Sequence, residues 1–325
     1  MIPIVFSSDD YYVPYMGVMM QSIMENAVSD EEYRFYVLQK NISSENREAL
    51  KTQIGTYPHF SIDFINVAEY IKDYNFFVAN RDNITIETYF RLLIPDLFKD
   101  QEKIIYLDGD MICLTSISEL YHYELGNNLL ASSRDILGAC VYYSPNAHTQ
   151  RTYRREILKL SNPDNYFIAG MLLINNREFR KRFTVKQLLD FAVSREWQWH
   201  DQDVLNVLCD GKTLLLSMAW DFTQDDVTYL PEYLRKEYVE AQKEPKIIHF
   251  ASQSRKPWEN AVNVPYFELF WKYAARTPFL VTIISRMEEK HLIGLPYKER
   301  ILYDIKNKNI GLKFLLTCLK ARLWG

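Results

Sequence analysis

The apolar run Ile104-Ile105-Tyr106-Leu107 opens directly onto Asp108-Gly109-Asp110. A run with no polar position has no face to offer water. It therefore reads as a strand buried on both sides, the kind found in parallel sheets covered by helices. In open α/β sheets, ligands collect at the carboxyl ends of strands. Both acids are thus expected where a ligand would sit. Separated by one glycine they repel, and one of them tends to keep its proton. A divalent cation relieves that conflict and provides a seat for phosphate oxygens. Taken alone, the tripeptide is more often a plain β-turn, with Asp108 capping the next segment.

The rest of the chain alternates strand-like and helix-like patterns. Strands are expected over 2–6, 33–38, 60–67, 103–107, 128–132, 167–174, 214–217 and 246–250. Helical spacing covers 15–24, with a further helix running from an N-cap at Ser43 or Ser44 to Gly55. Further helices are expected over 87–98 (interrupted or kinked at Pro95), 151–160, 177–195 and 201–208, and Asp201 is placed to cap the last of these. Residues 142–148 lack periodicity and read as a loop, within a segment (134–150) long enough to fold over a ligand. A β-α-β-α rhythm of this kind predicts a mostly parallel sheet with helices on both faces.

Composition narrows the class. Apolar residues make up 48% of 325, enough for a full core, and a net charge of −4 argues against a general nucleic-acid binder. The four cysteines, Cys113, Cys140, Cys209 and Cys318, are scattered and form no C-x-x-C pair, which fits a reducing compartment. No signal peptide is legible at the N-terminus and no apolar run is long enough to span a bilayer. The expectation is a cytoplasmic protein, soluble or peripheral at the inner face of the cell membrane.

Several motifs in a fixed order carry a sharper message. They are Phe6-Ser7-Ser8-Asp9-Asp10-Tyr11-Tyr12, Thr88-Tyr89-Phe90-Arg91-Leu92, Leu107-Asp108-Gly109-Asp110, Tyr166-Phe167-Ile168-Ala169-Gly170, His200-Asp201-Gln202-Asp203, Ile248-His249-Phe250 and Lys256-Pro257-Trp258. In this order, over about residues 2–260, they resemble glycosyltransferase family 8. The resemblance implies a GT-A fold, which is α/β, Rossmann-like, with a mostly parallel sheet flanked by helices. It also implies retaining, metal-dependent transfer of a hexose from a UDP-sugar. The expected organisation is a catalytic domain over 1–260 and a helical C-terminal extension over 261–325.

Residue by residue, the resemblance makes Asp108, Asp110 and His249 the ligands of Mn²⁺ or Mg²⁺. A nitrogen beside two carboxylates suits Mn²⁺. It places the nucleotide on Ser8, Asp9, Tyr12, Asp108, Gly109, Asp110 and Lys256, with Asp9 at the uracil edge and Tyr12 on its face. The transferred hexose falls to Arg91, Asp135 and Asp201, and Gln202 faces its reactive carbon. The chain departs from the family pattern twice. Lys256 lies seven residues after His249 rather than six, so the loop must bulge and Arg255 could take over the phosphate role. Ile168 stands where the family often has Asn, and an apolar side chain cannot hydrogen-bond a sugar hydroxyl. The hexose thus stays open between galactose, glucose and their N-acetyl forms.

Beyond Tyr266 the pattern is helical throughout. Residues 306–325 carry Lys306, Lys308, Lys313, Lys320 and Arg322 with no acid, interleaved with apolar residues and ending near Trp324. A basic amphipathic stretch of this kind suits an anionic membrane surface, though a helix packed on the core with a solvated lysine face also fits. The acceptor would be a glycan or glycolipid. Two rival readings are a sugar nucleotidyltransferase and a non-catalytic partner subunit. The first expects a glycine-rich basic loop after the first strand, where this chain has acids. The second expects the acids at 108 and 110 to be lost, and they are intact.

Overall fold

A computed structural model describes residues 1–28, 30–78, 85–252, 255–259 and 264–292. The basic stretch 306–325 and Cys318 lie outside the described residues. In chain order the strands are β1 (Ile2–Ser7), β2 (Tyr33–Gln39), β3 (Phe60–Asn66), β4 (Lys103–Leu107), β5 (Met111–Cys113), β6 (Leu130–Ser133), β7 (Met171–Asn175), β8 (Thr213–Leu216) and β9 (Ile247–His249). The helices are α1 (Val13–Asn26), α2 (Ser44–Ile54), α3 (Ala68–Ile71), α4 (Ile94–Leu97), α5 (Ser118–Tyr121), α6 (Ile136–Tyr143) and α7 (His148–Thr152). They continue with α8 (Asn176–Arg182), α9 (Val185–Ala192), α10 (His200–Leu208), α11 (Glu232–Lys243), α12 (Phe267–Ala274) and α13 (Leu280–Leu292).

Seven strands form one sheet in the order β3-β2-β1-β4-β7-β6-β8. All neighbours run parallel except β7, which is antiparallel to both β4 and β6. Strand β4 lies at its centre, as its unbroken apolar run requires. Ile105 and Leu107 enter the core beneath α1, α12 and α13, while Ile104 and Tyr106 enter the opposite core with Phe90, Leu188 and Val204. Because β1 and β4 are parallel neighbours (Val5 opposite Tyr106), their carboxyl ends coincide. Asp9 and Asp108 therefore emerge on the same edge. A separate two-stranded sheet pairs β5 with β9, with Met111 opposite His249.

Helices α12 and α13 add Phe270, Trp271, Ile283 and Met287, and the turn between them adds Phe279, to the same core as Ile4, Phe6 and α1. The first part of the C-terminal extension is thus packed on the sheet's own helical layer.

Local chemistry moved several expected boundaries. The helix expected over 177–195 is two, because Thr184 accepts the Gln187 N–H in a capping box and starts α9 afresh. Residues 86–93 form a 3₁₀ helix rather than an α-helix. The segment is interrupted as expected: the 3₁₀ helix ends at Leu93 and Pro95 sits in the first turn of α4, where its missing N–H costs nothing. The expected loop 142–148 begins inside α6, which Asp135 caps by accepting the Gly138 N–H at 2.9 Å. The helix expected over 151–160 is α7 followed by a π-turn, Tyr153–Ile157. The strand expected over 167–174 starts only at Met171. Asp201 does not cap α10: the cap position is Trp199, and the Asp201 carboxylate turns toward Thr88 and Arg91.

Candidate active site

Each acidic and basic group at the sheet edge has an identifiable support. Asp108 leaves β4 with its N–H bonded to Gly170 O at 2.8 Å. Asp110 enters β5, and its carbonyl accepts the Phe250 N–H at 2.9 Å, which fastens the end of β9 beside it. This pairing delivers His249, whose Nε2 lies 3.3 Å from Asp110 Oδ1. One ligand atom from each of Asp108, Asp110 and His249 lies within 4.8 Å of the others, close enough to share one ion. Two carboxylates and an imidazole are a donor set that suits a divalent cation. Gly170 is required here, since a Cβ on it would overlap the His249 ring and the Met111 side chain.

Asp221 completes the group, and no spacing in the sequence marked it. It lies in the 3₁₀ turn Met218–Asp221, beside the Phe222–Ile248 bridge. Its Oδ1 takes His249 Nδ1 at 2.8 Å and its Oδ2 takes the Met171 N–H at 2.8 Å. A buried carboxylate on Nδ1 fixes the ring and aims Nε2 at the metal position.

The metal-free electrostatics follow from this crowding. Burial pushes the Asp108 carboxyl up to about 6, with Arg91 opposing and Asp110 adding to the rise. Burial also pushes Asp110 upward, but Lys256 and His249 outweigh it and hold that carboxyl well below the usual range. Burial disfavours a charged His249, yet Asp221 and Asp110 raise it to about 10. The pair of acids thus divides as expected from their repulsion, Asp108 being the one nearer to protonation.

All twelve residues singled out from the sequence line one cavity of about 680 Å³. Asp9 accepts the Tyr12 N–H at 2.7 Å just ahead of α1. Tyr12 OH and Asp110 Oδ2 both receive Lys256 Nζ, at 3.0 and 2.6 Å. Lys256 is buried against the carboxylate, and Arg255 lies by Asp225 at 3.4 Å. Gly109 brings the chain against α1, where a Cβ would stand 3.1 Å from that of Met16. Arg91 is enclosed by protein: it meets Asp108 at 2.8 Å, Asp201 at 3.0 Å and the Ala169 carbonyl, and lies over the Tyr106 ring. Gln202 accepts the Ala169 N–H at 3.0 Å and donates to Asp135 Oδ2 at 3.1 Å. Ile168 lines the same cavity with Leu137 and Val141. Just before Asp201 and Gln202, His200 is held at φ 50°, a left-handed strain of about 1–2 kcal/mol that turns α10 into the site.

The model for glycosyl transferase family 8 matches residues 3–261. This chain belongs to glycosyl transferase family 8. Across the family, similarity extends to the lipopolysaccharide 1,3-galactosyltransferase of Salmonella typhimurium, 23% identical over 328 residues that cover 98% of this chain and 91% of that one. Among solved family structures, the galactosyltransferase LgtC in complex with donor and acceptor sugar analogs superposes with a TM-score of 0.70. It is 26% identical and the match covers 85% of this chain and 96% of LgtC. The WbbM bifunctional glycosyltransferase superposes with a TM-score of 0.78 at 28% identity, over 88% of this chain and 51% of that larger one. The fold is therefore GT-A, and the protein is a glycosyltransferase. Among the described residues, no helix is long and apolar enough to cross a membrane.

Proposed function

We propose that this family 8 enzyme transfers galactose or glucose from a UDP-sugar to a glycan hydroxyl, with retention, in the synthesis of lipopolysaccharide, capsule or another surface glycan. The observation that carries the reading is the grouping of Asp108, Asp110 and Asp221-oriented His249 in a cavity that also presents Asp9, Tyr12 and Gln202. The lipopolysaccharide-acting relative supports the acceptor class.

Asp108, Asp110 and His249 would hold Mn²⁺ or Mg²⁺, and when bound the ion neutralises the charge of the departing diphosphate. The proposed nucleoside contacts are Ser8, Asp9 and Tyr12, a carboxylate suiting the imide N–H and a phenol the base's flat face. Lys256 turns from Asp110 to the phosphates as a point charge, beside the Gly109 backbone. Arg91, Asp135 and Asp201 present polar groups to the hexose.

Gln202 decides between mechanisms. A carboxamide neither ionises nor leaves well, so it makes a poor nucleophile. The reading is front-face displacement: the leaving phosphate oxygen takes the acceptor's proton, and the second lone pair of the Gln202 carbonyl stabilises positive charge growing on the sugar. Gln202→Ala should then keep measurable activity, whereas a trapped glycosyl adduct would indicate double displacement. We assign 306–325 to an anionic membrane surface at about 1 kcal/mol per basic residue, which places the enzyme on the inner face of the cell membrane.

The test is UDP formation from UDP-galactose, UDP-glucose and their N-acetyl forms, with and without Mn²⁺. Metal-dependent release from one of the hexoses is expected. No turnover with retained UDP binding would instead point to a partner subunit, and pyrophosphate exchange to a nucleotidyltransferase.

A further inference from the structure

Arg154 is a buried cation with no place in the chemistry so far. Only 4% of it is exposed, and removing a guanidinium from water is costly unless an anion compensates it. Its Nη2 lies 3.8 Å from Asp135 Oδ2, and Nη1 donates to the Pro163 carbonyl at 3.4 Å. The guanidinium is layered on the Tyr166 ring at 4.0 Å, with the Tyr142 ring at 5.2 Å. Two unusual features bring it there. The π-turn Tyr153–Ile157 aims the side chain inward. Gly138 leaves the space it crosses, since a Cβ there would overlap both Asp135 Oδ2 and Arg154 Nη2.

Arg154 also acts on Asp203, through charge and through the Tyr166 ring, but its direct ion pair toward the site is with Asp135, the residue that Gln202 itself bonds. Gln202 donates from its amide nitrogen to Asp135 and accepts the Ala169 N–H with its carbonyl. That orientation is self-consistent only while Asp135 is an acceptor. The Ala169 N–H holds the carbonyl end whatever the charge on Asp135, since a flip would set two donors against each other; a protonated Asp135 that turns its O–H toward the amide would instead leave the NH₂ group without its acceptor and loosen the side chain. We propose that Arg154 is a positioning residue: it braces the Asp135 carboxylate as the acceptor of the Gln202 NH₂ group and thereby keeps the Gln202 amide seated toward the reacting sugar carbon.

The charge balance around Asp135 agrees with this. Burial raises its carboxyl, Arg154 is the largest opposing influence, and the Gly138 N–H and Gln202 also lower it. Asp221, from the 3₁₀ turn Met218–Asp221, pushes the same way as burial, and the Tyr166 hydroxyl and the Cys140 thiol also face Asp135. Without Arg154, two acids and a dry environment would leave Asp135 protonated at higher pH.

The inference rests on the transferase reading of the site, and one experiment separates the two. UDP release from UDP-galactose and UDP-glucose with Mn²⁺ is followed against pH for wild type, Arg154→Met, Arg154→Lys and Gly138→Ala, alongside UDP affinity and melting temperature. Arg154→Met should lower kcat about 30- to 100-fold, since misplacing a reacting group by an ångström has that effect. UDP affinity should stay within about threefold. The acid limb of kcat should move up by about one pH unit or more. Arg154→Lys keeps the charge without the planar fork and should restore the limb while recovering part of kcat. Gly138→Ala should behave like Arg154→Met. In an Asp135→Asn background, Arg154→Met should add little, because the two act as one unit.

An unmoved acid limb in a folded Arg154→Met enzyme overturns the proposal. So does a loss that appears only in UDP affinity, or equal loss in Arg154→Lys and Arg154→Met. A wild-type enzyme that releases UDP from neither sugar overturns the transferase reading, and this inference with it.

Discussion

At the scale of single residues, the site is a set of charges that satisfy one another, with Asp108, Asp110 and His249 close enough together to hold an ion. In the metal-free protein His249 is raised to about 10, above the ordinary histidine value near 6.5. Its proton therefore stabilises the metal-free fold fully below about pH 6.5, and that contribution is lost as pH rises toward 10. Metal must displace this proton, so Mn²⁺ affinity should rise up to about tenfold per pH unit from 7 to 9. Proton release on Mn²⁺ binding, read by calorimetry in two buffers, checks the assignment; binding without release would refute it. Asp221→Asn should weaken Mn²⁺ about 10- to 100-fold, by paramagnetic titration, with the fold intact. Asp108, Asp110 and His249 were legible because strand ends and family motifs mark them. Asp221 and Arg154 were not, because each acts on a residue distant in sequence and neither stands in a recognisable spacing.

Among the elements, short signals worked where the chemistry is local. Ser43 caps α2 by accepting the Asn46 N–H at 3.2 Å, and Gly55 follows at its end, as serine before a polar helix and glycine after it predict. Ser43→Ala should cost about 1 kcal/mol in denaturant unfolding without altering UDP affinity. Longer readings failed where a neighbour could interrupt the pattern, as Thr184 does between α8 and α9. The same reasoning separates two glycines. Gly170→Ala would drive a methyl into the His249 ring and should reduce Mn²⁺ affinity about tenfold or more, measured directly. Gly126, at φ 55° with open space around its Cβ position, matters only for backbone conformation, and its alanine variant should bind Mn²⁺ normally.

For the whole molecule, the C-terminal extension divides into a part the core needs and a part it does not describe. Ile283 and Met287 of α13 are buried with Phe279 against α1, and a Cβ on Gly17 would stand 2.7 Å from the Phe279 ring. Ending the chain at 279 uncovers these contacts and should lower the melting temperature by several degrees, each buried apolar side chain contributing about 1.5–3 kcal/mol. Deleting 300–325 should abolish binding to anionic vesicles; retained binding would remove the membrane role proposed for 306–325. By itself the sequence determined the strands of the main sheet and the residues that reach its edge, but not the short β5 (Met111–Cys113), because apolar period and capping chemistry are properties of neighbouring residues and three residues are too few to show a period. Only the tertiary structure decided that β7 runs antiparallel, that β9 leaves the main sheet to pair with β5, and that Asp221 and Arg154 stand behind the groups they orient. Those outcomes depend on contacts between residues scores of positions apart, whose energies exist only once the chain has folded back on itself.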